Sequence, residues 1–175
     1  MIFLGYFFVA CAYALYAYSR FCKSKQLMLF FNLCSKPFMA AGLYFFNSLS
    51  GSYVLLVSCL MLITTNIKEK LKTRWLLGYI FFQAIYLVIL YYTYIGYSSI
   101  LITLCVSITL FSTWWLSPQK MRLIGGINGF LALAYHLSVR NWLGLLEITG
   151  IISSFSAYIK ARKKSKKNHK KINLK

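Results

Sequence analysis

Six polar residues and one proline carry most of the chemistry open to this chain. Lys36 is the tenth residue of the apolar run Leu27–Asn47. A cation at such a depth costs about 2.5–3.5 kcal/mol on insertion scales, so it must face protein or water and have a partner. Pro37 beside it removes an amide donor and loosens the helix, which predicts a hinge and carbonyls free to take the ammonium's hydrogen bonds. One reading makes Lys36 a cavity cation that attracts an anionic group; the other has it snorkelling to the bilayer surface or bonded to carbonyls. Glu147, six residues into Trp142–Ile159, is the only acid inside an apolar run. At 1.5 Å per residue it stands roughly 8 Å below the outer surface, as a proton relay or as half of a rim ion pair with Arg140. His136 and Arg140 are four residues apart and share a helix face, completing the only His/Arg/Glu cluster the chain can assemble. Asn32, Asn128 and Gln83 either line the same path or join helices by hydrogen bonds. The spacing of Gly125, Gly126 and Gly129 predicts close helix packing.

The composition excludes much else. Aspartate is absent and Glu69 and Glu147 are the only acids. Carboxylate dyads and Asp-supported triads therefore cannot form within one chain, and an enzyme is not expected. Five cysteines, Cys11, Cys22, Cys34, Cys59 and Cys105, are scattered without CxxC spacing and read as small packing residues, so no metal or other cofactor is called for. The +18 net charge does not imply nucleic-acid binding, because much of it lies in the last sixteen residues.

Those candidates must be positioned by helices. Fifty-nine per cent hydrophobic residues and 13% charged is a membrane composition, with the lipid bilayer as solvent. The apolar runs Ile2–Ser19, Leu27–Asn47, Tyr53–Ile67, Trp75–Tyr92, Ser98–Trp115, Leu123–Val139 and Trp142–Ile159 read as seven transmembrane helices, several of them short. Eighteen of the twenty basic residues follow the odd-numbered runs, Lys36 and Arg140 being the exceptions. That pattern predicts an outside N-terminus and a cytoplasmic C-terminus. Met1–Ser19 has no basic leader and does not read as a cleavable signal. Trp75, Tyr91, Tyr92, Tyr94, Trp114, Trp115 and Trp142 fall where interfacial aromatics belong. The stretch from Ser165 to Lys175 reads as disordered, and the basic tail as a contact for anionic lipid headgroups.

A shift of 93 residues lays the first three runs on the last three without a gap. It places Met28 on Met121, Ala41 on Ala134 and Gly51 on Gly144, and matches the basic and uncharged connections in turn. The expected architecture is all-α in a 3+1+3 arrangement. Residues 1–67 form a first triple-helix bundle, 75–92 an inverting linker helix, 98–159 a second parallel bundle and 160–175 a basic cytoplasmic tail. Parallel repeats of this kind typify one class of small transporter.

This plan resembles the SWEET and PQ-loop transporter superfamily. The run Ser112-Thr113-Trp114, Lys120-Met121-Arg122, Ala134-Tyr135-His136, Gly144 and Glu147, with Arg20-Phe21-Cys22-Lys23-Ser24-Lys25-Gln26-Leu27, is similar to the bacterial inner-membrane YgjV family. That resemblance implies a multi-pass protein of the bacterial inner membrane. SWEET-type bundles hinge on prolines in the first two helices of each repeat, whereas here only Pro37 lies inside a run; Pro118-Gln119 spells the PQ dipeptide but falls in a connection. Two functions follow. One is a transporter of a small polar or anionic solute, with proton coupling through Glu147 as a corollary. The other is a non-transporting membrane subunit or assembly factor.

Overall fold

Apolar runs with few breakers leave the backbone no partner but itself, and the chain answers with helices. The computed structural model describes the backbone of residues 2–72 and 75–172 and the side chains of 3–72 and 75–162; Arg74 and the side chains of the basic tail from residue 163 onward lie outside the described residues. Seven α-helices are present among them: α1 (Ile2–Phe21), α2 (Lys25–Phe45), α3 (Leu49–Leu71), α4 (Leu76–Tyr92), α5 (Tyr97–Trp115), α6 (Pro118–Ser138) and α7 (Glu147–Ile172). Of the described residues, Lys25–Phe45, Leu49–Leu71, Tyr97–Trp115 and Trp142–Arg162 form four helical segments long and apolar enough to cross a membrane, and Leu76–Tyr92 is apolar but shorter. These helices fit a multi-pass membrane protein.

Several boundaries differ from those read in the sequence, each for a local reason. Ser24 caps α2 by accepting the Leu27 amide at 3.2 Å, so that helix begins before Leu27. Pro118 occupies the first turn of α6 after an extended Ser117, so the Pro118-Gln119 pair starts a helix rather than forming part of a connection. The expected span Trp142–Ile159 is divided: Trp142–Leu146 is a 3-10 turn, and α7 starts at Glu147. Helix α7 then runs to Ile172, so the backbone expected to be disordered from Ser165 is helical to that point.

The helices close a ring in which α1 packs on α2, α2 on α3, α3 on α5, α5 on α6, α6 on α7, and α7 back on α1. Helix α4 stands outside it, against α3 and α5, held by buried Phe82 and Tyr86. Leu29, Leu43, Val54, Met61, Leu62, Leu110, Trp114 and Tyr135 form the buried core between the elements. Trp114 is thus not interfacial as expected: it is 1% exposed, and its indole donates to the Trp75 carbonyl at 3.1 Å. Trp75, Tyr91, Tyr92, Tyr94, Trp115 and Trp142 are exposed.

Polar contacts sort the helix ends. At one end Lys25 pairs with Glu69 at 2.7 Å, and Lys68 donates to the Trp114 carbonyl with its ammonium over the Trp114 and Trp115 rings. Arg122 joins them, donating to the Arg20 and Cys22 carbonyls at 3.1 and 2.7 Å. A terminal carbonyl of α1 and the Cys22 carbonyl just beyond it are therefore capped from α6, and a terminal carbonyl of α5 from α3, by cations suited to the negative end of a helix. At the other end Ser48 and Tyr135 share a hydrogen bond of 2.6 Å, and Ser99 donates to Ser50 at 3.5 Å.

Candidate functional site

Inside the ring lies a cavity of about 80 Å³. Helices α1, α2, α3, α5, α6 and α7 all contribute to its wall, and its polar lining includes Tyr13, Tyr16, Arg20, Lys36, Thr109, Asn128, His136 and Glu147. Four of the sequence candidates, Lys36, Asn128, His136 and Glu147, therefore converge although far apart in the chain.

Close packing brings them there. A Cβ on Gly126 would lie 3.0 Å from the Phe155 ring, and one on Gly129 would lie 2.5 Å from Ile151. Helices α6 and α7 thus approach through glycine, and Glu147 is carried against the Gly129 face. Helix α5 is tied to α6 by Asn128, whose amide donates to the Cys105 carbonyl at 2.9 Å and the Thr109 hydroxyl at 3.1 Å. Gln83 does the same between α4 and α5, donating to Ser107 at 2.9 Å, away from the cavity.

Lys36 faces the cavity from α2, and no hydrogen bond joins its ammonium to another described residue. The expected bonds to carbonyls loosened by Pro37 are absent among the described residues. Helix α2 runs uninterrupted through Pro37, whose ring is exposed, so the hinge expected there is not a break in this conformation. Glu147 is 6% exposed and stands within electrostatic reach of both Lys36 and Arg20. Neither cation approaches it within 4.0 Å, for the ion pairs among the described residues are Lys25–Glu69 and Lys68–Glu69. The Tyr13 hydroxyl is near the Glu147 carboxylate but outside hydrogen-bonding geometry, and it is buried without a partner.

Arg140 is not part of this group. Helix α6 ends at Ser138, and Arg140 takes a left-handed conformation, φ 55°, in the turn beyond. It is exposed while Glu147 is buried, which removes both the rim ion pair and the face shared with His136. His136 turns inward instead, its Nδ1 3.0 Å from the Asn141 amide. Asn32 is buried in α2 but is not a lining residue; its Oδ1 has no partner among the described residues. Of the late serines, Ser153 bonds its own helix at Gly150, whereas the Ser154 hydroxyl is buried without a partner.

Arg20 belongs to the site although its sequence position suggests a loop. It is the penultimate residue of α1, 7% exposed, with its guanidinium 4.3 Å from the Tyr16 ring centre and bonded to the Tyr16 hydroxyl. A Cβ on Gly125 would lie 2.7 Å from that guanidinium, so the glycine opens the space it occupies. The available signal was spacing, since Tyr13, Tyr16 and Arg20 fall three, four and seven apart on one helical face.

The 93-residue shift also relates several lining residues in pairs. That shift places Tyr13 on Val106, Tyr16 on Thr109, Ser35 on Asn128, Lys36 on Gly129, Met39 on Ala132 and Leu43 on His136, and every one of these residues lines the cavity. The turns ending α2 and α6 agree in shape at shifted positions. Asn47 and Arg140 both have φ 55°; Ser48 donates to the Leu43 carbonyl and Asn141 to that of His136, at 3.0 and 2.9 Å. The chain matches no family model, no curated protein and no solved structure.

Proposed function

We propose that this protein is a membrane transporter of a small polar or anionic solute, its path passing through the cavity between two parallel triple-helix bundles. The carrying observation is that cavity: charged groups from α1, α2 and α7 share one buried space walled by helices of both halves. A soluble-style core gains nothing from placing three ionisable groups in apolar surroundings, whereas a solute path needs them. Six pairs of lining residues related by one shift support two repeats about a common axis, the arrangement of parallel-repeat carriers. Kinship with the SWEET and YgjV proteins, and a bacterial inner-membrane location, remain part of this proposal. So do the outside N-terminus and cytoplasmic C-terminus, supported by the clustering of Arg20, Lys25, Lys68 and Arg122 at one end.

The test is uptake into proteoliposomes across a panel of small solutes, with wild type, Lys36→Leu and Glu147→Gln. We expect one solute to accumulate and at least a tenfold loss in Lys36→Leu. Glu147→Gln reports on proton coupling: it abolishes uptake driven by a pH gradient if coupling runs through that carboxyl. The competing reading, a non-transporting subunit or assembly factor, draws on α4, which leaves Leu77, Tyr91 and Tyr92 at least 80% exposed. That reading expects stable co-purification with one membrane partner and no solute whose flux responds to residue 36.

A further inference from the structure

We infer that the central cavity is a binding site for one small monovalent anion, held between Lys36 and Arg20. This rests on the transporter reading for its meaning but not for its test. Charge comes first. Two basic side chains and one carboxylate line the space, leaving a formal excess of one positive charge. Buried charge without compensation is costly, and a single negative ligand restores the balance.

Hydrogen bonding points the same way. The Lys36 ammonium makes no bond to described protein groups and the Arg20 Nε is buried without a partner, while the Tyr13 hydroxyl is directed to Glu147. These are donors, so the ligand they suit is rich in acceptors. Glu147 places its carboxylate on one side of the space, and Asn128 Oδ1 is a left-over acceptor that water or the hydroxyl of a protonated oxyanion satisfies.

Size then narrows the class. A space of about 80 Å³ is several times the roughly 10–15 Å³ that one water needs by the same measure. It holds a halide, nitrate or hydrogen carbonate. Sites for drug-sized molecules start near 300 Å³, so a sugar does not fit in this conformation.

The experiment is thermal unfolding of the purified full chain in detergent, titrated with sodium chloride, nitrate or hydrogen carbonate. Ionic strength is held constant with sodium gluconate, whose anion is too large for the cavity. At least one small anion should raise the midpoint by about 5–10 °C at a hundredfold excess over its Kd, and gluconate alone should not. Lys36→Met should lose the rise, and exposed Lys72→Met should keep it. Glu147→Gln should enlarge it, which provides a second readout if Lys36→Met does not fold. No rise with any small anion, or an equal rise in wild type, Lys36→Met and Glu147→Gln, would overturn the inference. Flux of the same anions, and of neutral urea, is measured alongside. Binding without flux leaves the anion site standing and removes transport. Urea flux without anion binding removes the anion site and leaves transport.

Discussion

At the scale of the residue, burial and charge decide who belongs to the site. Lys36 and Glu147 were legible because an ionised group in an apolar run is expensive enough to need a reason. Arg20 was not, because a basic residue at the end of such a run ordinarily marks a loop; here α1 continues two residues past Ser19 and turns the guanidinium inward. Arg140 misled in the opposite direction, as its spacing from His136 assumed a helix that stops at Ser138. Cys22 gives a residue-scale prediction outside the apolar runs. Burial pushes its thiol above the ordinary cysteine range, and the nearby Arg122 guanidinium opposes that rise. Since the thiolate is the reactive form, alkylation should be slow at neutral pH and accelerate beyond the ordinary thiol range. Removing the opposing cation in Arg122→Gln should move the rate profile to still higher pH. Iodoacetamide kinetics on a chain retaining only Cys22 measure both, and a profile at the ordinary thiol value in each variant would contradict this account.

At the scale of the element, helix identity was readable from hydropathy, while the helix ends depended on side chains of particular kinds. Ser24 and Pro118 are recognisable starting signals once their neighbours are seen to be helical. The 3-10 turn Trp142–Leu146 had no such mark, and it places the start of α7 at Glu147 instead of Trp142. The two turns with φ 55° differ in legibility too. Asn47 is a residue that tolerates the left-handed region, whereas Arg140 is not. Arg140→Gly should therefore stabilise the fold by up to about 1 kcal/mol, because relief of a left-handed cost of about 1–2 kcal/mol outweighs glycine's extra entropy loss of about 0.5–1 kcal/mol. Thermal unfolding in detergent reads this directly; a loss of stability would instead indicate that Arg140 supplies a contact the exposed side chain does not show.

At the scale of the whole molecule, the distribution of basic residues foretold one polar end, and the contacts of Lys25, Lys68 and Arg122 assemble it. The ring order was not legible, because lipid-facing and protein-facing helix surfaces are both apolar and carry no binary pattern. Orientation is tested by single cysteines introduced into a cysteine-free chain at exposed Asn47, Lys72 and Arg140. On intact cells a membrane-impermeant maleimide should label positions 47 and 140, and should reach 72 only after permeabilisation. Labelling of 72 alone would invert the protein in the membrane.

The match of Lys36 with Gly129 under the 93-residue shift, both lining the cavity, has a consequence for ancestry if it marks a repeat. Two copies of the first half would set two lysines about this space and no acid, for the position matching Glu147 is Val54, and two copies of the second half would set two glutamates and no lysine. If one half was once copied to make the other, an uneven distribution of charge became attainable only after the copies were joined in one chain and free to diverge. On that account the joined chain acquired its Lys36–Glu147 asymmetry after the copies separated in sequence.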